Sequence, residues 1–136
     1  MSKEMIDRDL FYRIVNLATN VHRELGQGLP EHIYKNALAS DLKDEDIPYE
    51  LDKYVEVKYK GRVIDKLKVD ILIKNSLIVG IISDDELKKK MKTTMLSTLK
   101  LLDNKKGILL NFSHDTLYYK RVVYKTKRGK DLLSAY

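Results

Sequence analysis

Leu77-Ile78-Val79-Gly80-Ile81-Ile82 is apolar at every position, and Ser83-Asp84-Asp85-Glu86 follows it at once. An unbroken apolar run of this length reads as a strand buried on both faces, since a strand wetted on one side would alternate. The acidic quartet reads as a helix N-cap and first turn, where carboxylates favour the positive end of the helix dipole. Leu87, Met91, Met95, Leu99 and Leu102 then recur at helical spacing, with lysines on the other face. Gly107-Ile108-Leu109-Leu110-Asn111-Phe112 supplies the next strand, and Thr116 to Tyr124 another, across a Ser113-His114-Asp115 turn.

Upstream of the central run, the period changes twice. Leu10, Ile14, Leu17 and Val21 mark a helix ending at Gly26, and Pro30 to Lys43 marks a second, with Ile33, Ala37, Leu38 and Leu42 on its apolar side. From Tyr49 the period is two. Val55, Val57 and Tyr59 alternate with charged residues, which predicts a strand covered on one face, and Lys60-Gly61-Arg62 turns into a second strand from Val63 to Ile73. The predicted order is α-α-β-β-β-α-β-β, an α/β fold with a mixed sheet of about five strands flanked by helices. Residues 1–124 are expected to form a single domain and 125–136 a basic tail. At 136 residues the chain suits one hydrophobic core.

Composition narrows the functions. With no cysteine there is no thiolate metal site and no cysteine nucleophile, and a reducing, intracellular setting is expected. The longest apolar run is too short to span a bilayer, and no membrane partner is expected. His22, His32 and His114 lack metal-ligand spacing, and Gly26-x-Gly28 follows a helix where a dinucleotide fingerprint follows a strand.

The formal charge of +6 is unevenly placed. Residues 1–85 hold 13 Lys/Arg against 16 Asp/Glu, and residues 86–136 hold 13 against 4. Lys88, Lys89 and Lys92 form one cluster, and Lys120, Arg121, Lys125, Lys127 and Arg128 a second. Two like-charged clusters in one small chain favour a polyanion, which makes these eight residues the candidate nucleic-acid contacts and DNA the expected partner. Asp70 is the unusual acid, set between Val69 and Ile71-Leu72-Ile73, where a carboxylate needs a partner or a metal.

Gly28-Leu29-Pro30-Glu31-His32-Ile33-Tyr34 is GxxExxY, preceded by Val21-His22-Arg23-Glu24-Leu25-Gly26. With Tyr59-Lys60-Gly61, Val69-Asp70-Ile71-Leu72 and Gly107 to Phe112, it resembles the GxxExxY proteins of the PD-(D/E)xK nuclease-like superfamily. The resemblance covers the chain to about Val123 and implies a restriction-endonuclease-like core. It also implies a Mg²⁺ site in which an Asp on the second strand is followed ten residues later by Glu and twelve later by Lys. From Asp70 those positions are Gly80 and Ile82, and the family's helix glutamine falls at Thr94. Glu31 and Asp70 are the retained members.

Three readings follow. In the first, no catalytic residues and no cofactor are expected, and the chain binds nucleic acid through its basic surface without strong sequence preference. In the second, the chain is an active Mg²⁺-dependent nuclease with a displaced site of Glu31, Asp70, Glu86 and Lys88, built on the literal ExK of Glu86-Leu87-Lys88, with Mg²⁺ held through Glu31 and Asp70. In the third, the chain is an interaction scaffold or homodimer. Lysine- and isoleucine-rich usage also suits an AT-rich, viral or mobile-element origin.

Overall fold

The computed structural model describes residues 3–102, 105–127 and 130–135. Two helices, α1 (Lys3–Leu25) and α2 (Glu31–Asp44), precede strands β1 (Tyr49–Tyr59), β2 (Arg62–Ile73) and β3 (Leu77–Ile82). A 3₁₀ turn (Asp85–Leu87) leads into α3 (Lys88–Lys100), then β4 (Lys106–Asn111), β5 (Tyr118–Lys127) and β6 (Lys130–Ala135). The sheet runs β1-β2-β3-β4-β5-β6. Only β3 and β4 are parallel, from Leu77 opposite Lys106 to Ile82 opposite Asn111, and every other pair is antiparallel. A parallel pair needs a crossover, and α3 is that crossover.

This explains the unbroken apolar run. Val79 and Ile81 pack under α1 and α2, while Ile78 and Ile82 pack under α3. Leu110 and Ile108 join the first core, and Leu109 the second. Gly80 lies between, on the α3 side, because that helix comes too close for a side chain. A Cβ on Gly80 would stand 2.9 Å from Leu109 Cδ2 and 3.0 Å from Met95 Cε. Gly107 on the neighbouring strand is crowded by the same Met95, since a Cβ there would stand 2.5 Å from its Sδ. The two glycines form a shallow cradle for the Met95 thioether, a flexible side chain suited to an irregular gap.

Two expectations change. The alternation in β1 predicts a covered face, and Val55 and Val57 are half-buried, Val55 against the α3-side core, yet Tyr59 is exposed and the outer halves of β1 and β2 form a projecting hairpin, with Tyr54, Val63 and Ile64 also exposed. The reason is length: β2 runs for 12 residues but pairs with β3 only over Ile71–Ile73. Beyond that point no described strand pairs with the free edge of β2. The lysine-rich composition likewise predicts an unpaired tail from residue 125. Instead, 125–127 continue β5, and Lys130–Ala135 add a sixth strand in register from Val122↔Ala135 to Lys127↔Lys130. Ladder hydrogen bonds come from the backbone, so a charged composition does not forbid them. Among the described residues, no helix is long and apolar enough to cross a membrane.

Candidate functional site

The Gly28-to-Tyr34 motif anchors the entry to α2. Tyr34 is fully buried, its ring stacked on Phe112 at 4.2 Å. Its hydroxyl donates to Gly26 O at 2.6 Å and accepts from the Leu29 N–H at 3.1 Å. Gly28 has a φ of +91°, which favours glycine. The turn is thereby fixed, and Glu31, three residues before Tyr34, sits in the first turn of α2 facing β2.

There it meets Asp70, which is buried and whose Oδ2 accepts a 3.0 Å hydrogen bond from the Ile81 N–H. Glu31 and Asp70 line one cavity of about 210 Å³ with Lys68, Gly80, Thr94, Met91 and Met95. Burial pushes the Glu31 carboxyl up from 4.5 to about 7, helped by the Asp70 charge and a hydrogen bond to Asp70, against the opposing pull of Lys68 and Lys35. Two close carboxyls of which one holds its proton is the expected outcome when both cannot ionise cheaply. Behind them, Lys35 Nζ contacts both Asp52 carboxylate oxygens at 2.8 and 3.1 Å, and Lys68 Nζ lies 3.7 Å from Asp52 Oδ1. The hydrogen bond from Lys35 holds Asp52 below the usual carboxylate range.

Glu31 and Asp70 are the two carboxylates this pocket offers a cation such as Mg²⁺. The ion takes near-octahedral oxygen ligands and is reluctant to dehydrate. Here Glu31 and Asp70 are the acids among the described lining residues, Asp70 Oδ2 already accepts a backbone N–H, and Met95 fills the space above Gly80. Among the described residues no group of three or more His, Cys, Asp or Glu is placed to hold a metal ion. Glu86 and Lys88 do not join Glu31 and Asp70. Glu86 is exposed in the 3₁₀ turn, its N–H donating to Asp84 Oδ1 at 3.0 Å, and Lys88 lines a different cavity.

That second cavity, of about 610 Å³, is lined by Lys88, Lys89 and Lys92 of α3 together with Lys120, Tyr118 and Tyr119 of β5. Ile82, Leu109 and Asn111 form part of its wall. Asn111 Nδ2 donates to Asp85 Oδ1 at 3.4 Å, the main cause holding Asp85 below its ordinary range. His114 stacks on Tyr118 at 4.4 Å, and His22 Nε2–H donates to His114 O at 2.7 Å, so both histidines shape this rim. The fold therefore joins the first lysine cluster to part of the second. Strand alternation sends the neighbouring Arg121 to the opposite face, beside Arg8, Tyr12 and Lys106. Lys125 and Lys127 lie on the β5 backbone, and Arg128 lies outside the described residues.

Sequence reading missed Lys68, whose signal was its place two residues before Asp70, on the same side of β2. It also missed Tyr118 as a neighbour of Lys120 at the second cavity.

A fold of this topology, with an Asp on the second strand facing a helix-borne Glu, defines a nuclease-like α/β protein. The chain belongs to the PD-(D/E)XK nuclease superfamily, whose family model matches residues 8–122. No curated protein and no solved structure matches it significantly.

Proposed function

We propose that the chain binds nucleic acid, DNA in the first instance, through its basic α3–β5 cavity, and that it does not cleave it. The observation that carries this reading is the convergence of Lys88, Lys89, Lys92 and Lys120 on one cavity with the half-exposed Tyr118. Four cations at one concave surface suit consecutive phosphates, and a tyrosine ring offers a base or sugar an apolar face. Loss of catalysis is supported at the neighbouring pocket. Hydrolysis in this superfamily rests on an ion and a lysine that stabilise developing charge. Gly80 and Ile82 stand where the family pattern puts Glu and Lys, and the degenerate motif of a GxxExxY-type member is our reading of that register.

Binding is expected to be electrostatic and weakly selective, because no side chain here is arranged to read base edges. A labelled duplex titrated over salt tests it. Four phosphate contacts predict a log–log slope of about −3 to −4, a loss of roughly 10²-fold in affinity between about 50 and 200 mM salt. A plasmid-nicking assay with Mg²⁺ or Mn²⁺ is expected to be blank. Cleavage lost on Asp70→Ala would establish an active enzyme instead, and a chain that ignores nucleic acid at low salt would favour a protein scaffold.

A further inference from the structure

The sheet face covered by α3 carries a second basic groove, at the opposite end of that helix from the first. It lies between the projecting β1–β2 arm and the segment that follows α3, and encloses about 740 Å³. Lys53, Lys58, Lys66 and Lys105 line it, and Glu56 is the single acid among its described lining residues. The ring of Tyr54, 57% exposed, stands at the same groove. Lys58 and Lys66 come from opposite strands of the arm, so the positive charge spans its width.

The spacing between the grooves limits what can occupy both. With 13 residues in α3, the two are separated by about 20 Å along the helix. Phosphates follow one another at about 3.4 Å per strand, so that distance corresponds to roughly six steps of a duplex. A compact anion reaches one groove only. A continuous polyanion reaches both, passing along the exposed face of α3 past Thr93, Ser97 and Lys100. An acidic protein segment could meet the lysine rim, but nothing would require it to be repetitive in charge over this length.

Resting on the nucleic-acid reading above, we infer that the arm groove is a second anchor for the same backbone, engaged together with the α3–β5 cavity by duplexes longer than about six base pairs. Once the first groove is filled, the second contact is intramolecular and its effective concentration is high. The arm that projects past β3 is the clamp of this second contact.

The test uses the full chain carrying Lys58→Gln and Lys66→Gln, with folding checked by circular dichroism and the unfolding midpoint. Two labelled probes are titrated over salt: a duplex several turns long and a loop-capped stem of about five base pairs, ~17 Å. On the long duplex the salt slope should shrink by about 2 and affinity fall about tenfold at moderate salt, whereas on the short stem the change should stay within about twofold. The inference is overturned if the long duplex binds the variant with unchanged slope, or if both probes lose affinity equally. It is also overturned if a polyglutamate peptide occupies the groove without displacing the duplex. Should the first variant fail to fold, Lys53→Gln with Lys105→Gln probes the same groove. Absence of salt-dependent binding by the parent chain on any duplex would instead defeat the proposed function itself, and Lys88→Gln with Lys92→Gln separates the two outcomes.

Discussion

Asp70 Oδ2 accepts the Ile81 N–H at 3.0 Å, just past the point where the β2–β3 register stops at Ile71 and Val79. Asp70, which lines its cavity together with Glu31, receives a backbone donor that the ladder leaves over. That hydrogen bond gives Asp70 a structural role.

Replacing it separates the two roles. Asp70→Ala leaves the buried Ile81 N–H without an acceptor and should cost about 1–3 kcal/mol in denaturant unfolding, while Asp70→Asn, which keeps a carbonyl there, should cost less. Duplex affinity should be unchanged in both, as measured by anisotropy. A large affinity loss in a fully folded Asp70→Asn would place nucleic acid in the wrong cavity.

Glu31 gives a pH signature of known sign. Its folded-state value near 7 lies above the ordinary 4.5, so the folded state binds the proton more tightly. Its contribution to stability is whole below about 4.5, falls as pH rises towards 7, and stays lost above. Glu31→Gln should remove that fall, so the variant gains on the parent between pH 5 and pH 8 in unfolding midpoints. Parallel curves for the two proteins would contradict the carboxyl pair.

Restoring the family pattern is predicted to be hard. Gly80→Glu drives a Cβ into Leu109 and Met95 and should destabilise by roughly 1–3 kcal/mol. Adding Met95→Ala should recover part of this by freeing the Met95 Cε position. Gly80→Glu with Ile82→Lys in the Met95→Ala background is the variant in which Mg²⁺-dependent nicking would appear if the remaining geometry is nuclease-like, with metal affinity measured calorimetrically alongside.

Tyr34 should be sensitive to a single atom. Tyr34→Phe keeps the stack on Phe112 but leaves the Gly26 carbonyl and the Leu29 N–H without their partner, for an expected loss of about 1–3 kcal/mol. Equilibrium unfolding measures it directly.

The faces of β5 should differ. Lys120→Gln lies in the α3–β5 cavity and should weaken duplex binding and flatten the salt slope by about 1, whereas Arg121→Gln, on the other face beside Arg8, should change neither appreciably. Equal effects would mean that net charge alone governs association.

The order of helices and strands was legible because each period writes itself locally: Leu77 to Ile82 can only be a strand buried twice over, and Met91, Met95 and Leu99 can only face a core. The GxxExxY motif and Asp70 likewise announced the superfamily. What the sequence could not reveal was which distant charges meet. Lys120 joins Lys88, Lys89 and Lys92 while Arg121 turns away, Lys68 enters the Asp70 cavity, Glu86 stays outside it, and the hairpin escapes coverage because β3 is shorter than β2. Periodicity reports only the side of its own element on which a residue lies. Electrostatic partnership is a matter of a few ångströms between elements, and that distance exists only once the crossover helix has packed down on the sheet.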